Sequence, residues 1–206
     1  LFEKTGKSIN MVATDAHRLS IYKSTLDSEG DFIGIIPRKT VVELMKILPK
    51  QDGDIEFYIN TNNIVFMSKK FTFKSKLIDG NYPNYNQVVP QGNGSKITFN
   101  RKNMLDSLSR VSVLTSEKFK GVKLKVASGE LDISAHNPDQ ESAEEKLDLA
   151  DSADSFDIAF NVNYLKEVLG TINEDEISLV SFGSDKSALV ESGDSNQVLV
   201  LMPLLL

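Results

Sequence analysis

The sequence predicts an α+β protein in which antiparallel sheets are interrupted by a few short amphipathic helices, laid out as two copies of one domain plan. Three observations predict it. Apolar runs of strand length recur between Asn, Gly, Asp and Ser turns, three segments switch to helical spacing, and the chain matches itself at an offset of 124 residues.

The strand-like runs are Ile9–Ala13, Leu19–Tyr22, Asp31–Ile36, Ile55–Ile59, Ile64–Met67 and Phe71–Leu77. They continue at Val122–Val126, Leu131–Ala135, Phe156–Phe160, Ile177–Phe182, Ala188–Val190 and Val198–Met202. Thr61-Asn62-Asn63 and Gly183-Ser184-Asp185 read as hairpin tips. Pro37–Leu48 carries Val41, Leu44, Met45 and Leu48 at helical spacing, with Pro37 in the first turn and Pro49 as the stop. Asn100–Leu114 carries Met104, Leu105, Leu108 and Val111 behind a capping Asn100. Asn161–Leu169 carries Val162, Leu165, Val168 and Leu169.

Composition narrows the classes. With 206 residues the chain can hold two small domains, each burying a core. It has no Cys, which excludes disulfides and thiolate metal sites or nucleophiles. No apolar run approaches the ~20 residues of a membrane-spanning helix, and the net charge of −6 argues against a protein that coats nucleic acid with its whole surface. A localised basic face remains compatible.

In the self-match, Ile36–Leu48 lies over Phe160–Ile172, and the strands that follow keep nearly the same offset. The copies are unequal: nothing before Leu1 corresponds to the helix and strand start between residue 91 and about residue 122. The first copy is therefore expected to lack its opening ~30 residues, and the chain to be a fragment. The joint falls at the Gly/Pro/Asn-rich stretch Val89–Ser95, giving domains 1–89 and 90–206.

One stretch stands out. Ala13-Thr14-Asp15-Ala16-His17-Arg18-Leu19 places a His and an Arg between two strand-like runs, where they either stabilise a turn or line a surface site. Its wording closely resembles the Ala-Thr-Asp-Gly-His-Arg-Leu signature of the bacterial replication sliding clamp, the β subunit of DNA polymerase III. The resemblance continues through Pro37-Arg38-Lys39 with Val42–Met45, through Ser75–Gly80 with Tyr82–Tyr85, and through Glu117–Val122. It covers Asn137–Gln140 with Ala143–Glu145, then Phe160–Tyr164 and Val200–Pro203. On their order and spacing the chain is identified as a member of that family. It would comprise most of the middle domain and the whole last one.

The resemblance implies a DNA clamp fold, sheets outside and helices lining a ring that two full-length subunits close head to tail. It implies a non-catalytic processivity factor of the bacterial cytoplasm, associated with the nucleoid and not with membrane, that needs no cofactor and no metal. Its partners would be double-stranded DNA, held without sequence readout, and polymerase, clamp loader and repair proteins, bound through short linear peptides anchored by glutamine, leucine and phenylalanine side chains. The implied peptide pocket, at the junction of the domains, comprises Thr14, His17, Arg18, Leu19, Pro83, Val88, Val200, Met202, Pro203 and Leu204, with Asn161 and Tyr164 at its rim. DNA-facing positions would be Arg38, Lys39, Lys46, Arg101, Lys102, Arg110 and Lys166, diluted by Glu43 and Asp106. Half of the subunit interface would be Val113, Leu114, Asp139, Glu141, Glu144 and Glu145.

Without the resemblance each set has a plainer reading: His17 as a turn histidine, the basic helices and the acidic cluster as solvated faces, the apolar tail as a core strand. Three departures touch the pocket. Ala16 stands where the family has Gly, which disfavours a left-handed turn. Gln87 and Leu205 stand where it often has basic residues, so the pocket should be more apolar and less cationic. Two other functions compete. An enzyme would have to use Asp15, His17 and His136, but the chain has only two His and no HxxxH or HxH pairing. A β-rich peptide-binding module without DNA encirclement would use the same pocket.

Overall fold

A computed structural model describes residues 1–115, 120–149 and 154–205. Of the sequence motifs, Glu117, Lys118, Phe119 and the terminal Leu206 lie outside the described residues. The chain divides into two compact units, Leu1–Ala13 with Tyr22–Pro83, and Thr14–Ile21 with Asn84–Leu206.

The first unit contains β1 (Phe2–Thr5), β2 (Ser8–Thr14), β3 (Arg18–Thr25), β4 (Phe32–Gly34), α1 (Arg38–Ile47), β5 (Glu56–Ile59), β6 (Asn63–Met67) and β7 (Thr72–Lys76); the start of β3 belongs to the second unit. Strands β4, β1, β2 and β3 are ordered neighbours in one sheet, and β5, β6 and β7 form another. Asn60 shapes the predicted tip between β5 and β6, its side-chain oxygen accepting from the backbone N–H groups of Asn62 and Asn63. Phe2, Ile9 and Ile64 form the core of this unit. Phe32 and Phe57 pack on Phe2 at ring separations of 5.0 and 5.3 Å. Lys4 is also buried, and its ammonium donates to the carbonyls of Ser28 and Gly30 at 2.8 Å each.

Helix α1 differs from expectation at both ends. Pro37 precedes the helix as its cap residue, and Pro49 lies inside a 3-10 turn over Leu48–Lys50 that prolongs the helix. Proline needs no N–H donor at either place.

The second unit adds β8 (Ser95–Asn100), α2 (Arg101–Val111), β9 (Gly121–Ala127), β10 (Glu130–His136), β11 (Ser142–Asp148) and β12 (Phe156–Asn161). It ends with α3 (Val162–Gly170), β13 (Glu176–Ser181), β14 (Ala188–Glu191) and β15 (Gln197–Leu201). The start of β3 neighbours β15, followed by β14, β13 and β8, while β11, β10, β9 and β12 form a second sheet. Both sheets and both helices contribute to one core that includes Met104, Leu108, Leu124, Ile133, Phe160, Leu165 and Leu169. Asn100 and Asn161 cap α2 and α3, each accepting from a backbone N–H in the first turn.

Three strands escaped the sequence reading: β1, β8 and β11. In β11 the pattern Ser-Ala-Glu-Glu-Lys-Leu-Asp leaves no side chain fully buried, so it lacks the apolar signal of a strand. In β8 the alternation is present, with Ile97 and Phe99 inward, but the stretch follows directly on Gly-Asn-Gly and reads as linker.

The repeat has a physical counterpart in packing. Val41 and Met45 on α1 are 42% and 69% exposed, whereas Leu165 and Leu169, at the matching positions of α3, are 1% and 0% exposed. In the second unit α2 packs on α3, and among the described residues of the first unit no helix plays that part.

Candidate peptide-binding site

The turn between β2 and β3 is built by its own side chains. Asp15 Oδ1 accepts from the backbone N–H groups of His17 and Arg18, both at 3.1 Å. Thr14 Oγ1 donates to the Arg18 carbonyl at 2.7 Å and accepts from Ala16 N–H at 3.2 Å. These bonds hold Ala16 at φ +72°, the left-handed region that L residues with a Cβ avoid. A glycine would fit this conformation without cost, and this chain accepts a strained alanine instead.

The turn presents two side chains to α3. The His17 ring stacks on Tyr164 with centroids 5.2 Å apart and planes inclined by 22°. The Arg18 guanidinium lies 4.8 Å from the centroid of the Tyr164 ring. It also reaches Glu167 Oε2 at 2.6 Å and Asp15 Oδ2 at 3.1 Å. Glu167 lies one helical turn after Tyr164 and was not singled out from sequence; only its i,i+3 placement could have signalled it. Asn161 fixes the start of this face by accepting from the N–H groups of Asn163 and Tyr164.

Partial desolvation would raise the Asp15 carboxyl. The N–H groups of His17 and Arg18, with the guanidinium, outweigh it and hold the carboxyl below its ordinary range. For Arg18, desolvation opposes the charge, but Glu167 and Asp15 overcome it and strengthen the cation.

The tail completes the cluster. Met202 N–H donates to the His17 carbonyl at 2.9 Å, and Leu204 N–H donates to the Ala159 carbonyl at 2.7 Å. Met202 remains 39% exposed, and Pro203 and Leu204 are half-buried. Leu19 and Val200, expected to line the pocket, are 4% and 0% exposed, so they pack beneath it as core residues. Thus Thr14, His17, Arg18, Asn161, Tyr164, Met202, Pro203 and Leu204 come together within the second unit. Val88 is exposed in the same unit, and Pro83 belongs to the first.

The basic positions fare unevenly. Arg38, Lys39 and Lys102 are exposed, Lys166 is half-buried, and Lys46 pairs with Glu43 at 3.0 Å. Arg101 donates to the Glu174 carbonyl. Arg110 is engaged by Glu145, Nε to Oε1 at 2.6 Å and Nη2 to Oε2 at 2.9 Å. One expected DNA contact and one expected interface residue thus satisfy each other. Their bonding raises the Arg110 pKa and lowers that of Glu145. Val113 is 78% exposed and Leu114 half-buried. Asp139, Glu141 and Glu144 are exposed along the β10–β11 hairpin, with β11 at the sheet edge. Among the described residues no group of three His, Cys, Asp or Glu could hold a metal ion, and no helix is long and apolar enough to cross a membrane.

Comparison with known proteins gives a consistent result. Residues 86–205 match the family described as DNA polymerase III beta subunit, C-terminal domain, and residues 1–84 match its central domain. The beta sliding clamp of Pseudomonas aeruginosa is 35% identical over 99% of this chain and 56% of its own length. That of Escherichia coli K12 is 36% identical over the same shares. The crystal structure of the P. aeruginosa sliding clamp bound to griselimycin superposes with a TM-score of 0.95 at 35% identity, covering all of this chain and 56% of that one. The chain therefore spans a little over half the length of the relatives it matches.

Proposed function

Since the chain belongs to the DNA polymerase III beta subunit family, we propose that it is the central and C-terminal part of a replicative sliding clamp. Its domains would be 1–89 and 90–206. In the full-length protein, two subunits close head to tail into a ring that holds duplex DNA topologically. The ring tethers polymerase, clamp loader and repair proteins through their linear peptides. It performs no catalysis, and its place is the bacterial cytoplasm, at the nucleoid.

The observation that carries this reading is the succession of both family domains along nearly the whole chain, on a backbone that superposes on a solved clamp. The pocket reading draws on the His17, Tyr164 and Met202 cluster, an apolar surface with a few fixed polar groups. The DNA reading draws on exposed cations at Arg38, Lys39 and Lys102. Their charge is too sparse for tight binding and suits a sleeve that slides. The test uses the full-length protein loaded onto nicked circular DNA by its loader. Retention on circles and release on linearisation support encirclement. Equal loss from both forms overturns it.

A further inference from the structure

Beside the candidate pocket, in the same unit, lies a groove of about 380 Å³ between residues 87–93 and the β13–β14 hairpin. We propose that this groove is an accessory subsite for an acidic side chain flanking the core of a bound linear peptide, an inference that rests on the pocket reading above.

Its position follows from strand register. Ala188 pairs with Leu201 and Leu189 with Val200, so Ser187 stands across from Met202. Met202 in turn bonds to His17 on its other side. Neighbouring strands lie ~4.8 Å apart and an extended chain advances ~3.3 Å per residue. A peptide seated over Met202 therefore reaches the groove within about one to three residues.

The walls are fixed before any ligand arrives. Ser187 Oγ donates to the Val88 carbonyl at 3.0 Å, tying hairpin to linker. Gly94 lets the linker lie directly on β13: a Cβ there would stand 2.6 Å from Val180 Cγ1 and 2.7 Å from the Ser181 carbonyl. Asn84 accepts from Asn86 N–H, capping the short turn that leads into Val88.

The chemistry of the lining selects the ligand. Val88, Pro90 and Phe182 give an apolar wall, and Gln91 and Asn93 add neutral amides, the Gln91 Nε2 donating to the Val89 carbonyl at 3.4 Å. Lys186 is the one charged lining residue, and among the described residues its ammonium has no carboxylate partner. One cation with neutral amides matches a single carboxylate. A nucleic-acid backbone would call for a row of cations, which this groove lacks.

The test is fluorescence anisotropy with two labelled peptides sharing a Gln-Leu-Ser-Leu-Phe core, one flanked on both sides by Asp and the other by Asn. With the parent chain, the Asp peptide is expected to bind about two- to fivefold more tightly, as for a partly exposed ion pair. The advantage should shrink at high salt. Lys186→Gln should bring the two affinities together. Equal affinities in the parent chain, or a gap that survives Lys186→Gln, overturn the subsite alone. Failure of both peptides to bind the folded parent chain overturns the pocket reading and the subsite with it.

Discussion

Arg18→Ala isolates what holds the candidate site in shape. The guanidinium makes two ion pairs, to Glu167 and Asp15, and lies over the Tyr164 ring. Arg18 is about a quarter exposed, but Glu167 and Asp15 are 62% and 44% exposed, so solvent screens both pairs. Each is then taken at about 0.2–1 kcal/mol, and the cation over the ring at about 0.5–1 kcal/mol. Together the three contacts come to about 1.5 kcal/mol, a drop of about 5 °C in the melting midpoint of a unit this size. Arg18→Lys keeps the charge but loses the planar fork and should fall between. Melting followed by circular dichroism at low salt, then in 1 M NaCl, separates the terms, because salt removes the ion pairs first. An Arg18→Ala variant that melts within error of the parent at low salt would mean that these three contacts do not hold the turn.

Three further outcomes are expected. Ala16→Gly relieves a left-handed alanine but loosens the unfolded chain, leaving a net gain of about 0.5 kcal/mol in thermal melting; a loss would contradict the strained turn. Lys4→Met removes the donor from two backbone carbonyls while keeping most of the side-chain volume, and should cost about 2 kcal/mol in chemical denaturation. The Asp15 carboxyl is held below its ordinary range in the folded state, so its stabilisation is complete at neutral pH. It is lost as the pH falls below about 4, and a stability gap between parent and Asp15→Asn should close over that acidic range.

Much of this was legible in the sequence where a local rule governs the outcome. The helical spacing of Met104, Leu108 and Val111 and the capping Asn100 mark α2 locally, before the core that buries its apolar face is known. The tip at Asn62 forms because Asn60 closes the turn with its own side chain. Where structure depends on distant partners, the sequence is silent. β11 carries no buried side chain and exists because β10 offers it a ladder, from Glu130↔Asp148 to His136↔Ser142. The stacking of His17 on Tyr164, the Glu167 contact with Arg18 and the sequestering of Arg110 by Glu145 join segments far apart in sequence. Motif resemblance brought Thr14, His17 and Met202 into one set, but it also included Leu19 and Val200. It had no means of distinguishing a residue that floors the site from one that faces a ligand.

The most direct measurement is anisotropy of a labelled Gln-Leu-x-Leu-Phe peptide titrated with this chain and with its His17→Ala and Met202→Ala variants. Saturable binding in the micromolar range is expected, weakened by both substitutions while the fold, followed by circular dichroism, is retained. Absence of binding by the folded parent chain, or binding indifferent to both substitutions, would contradict it.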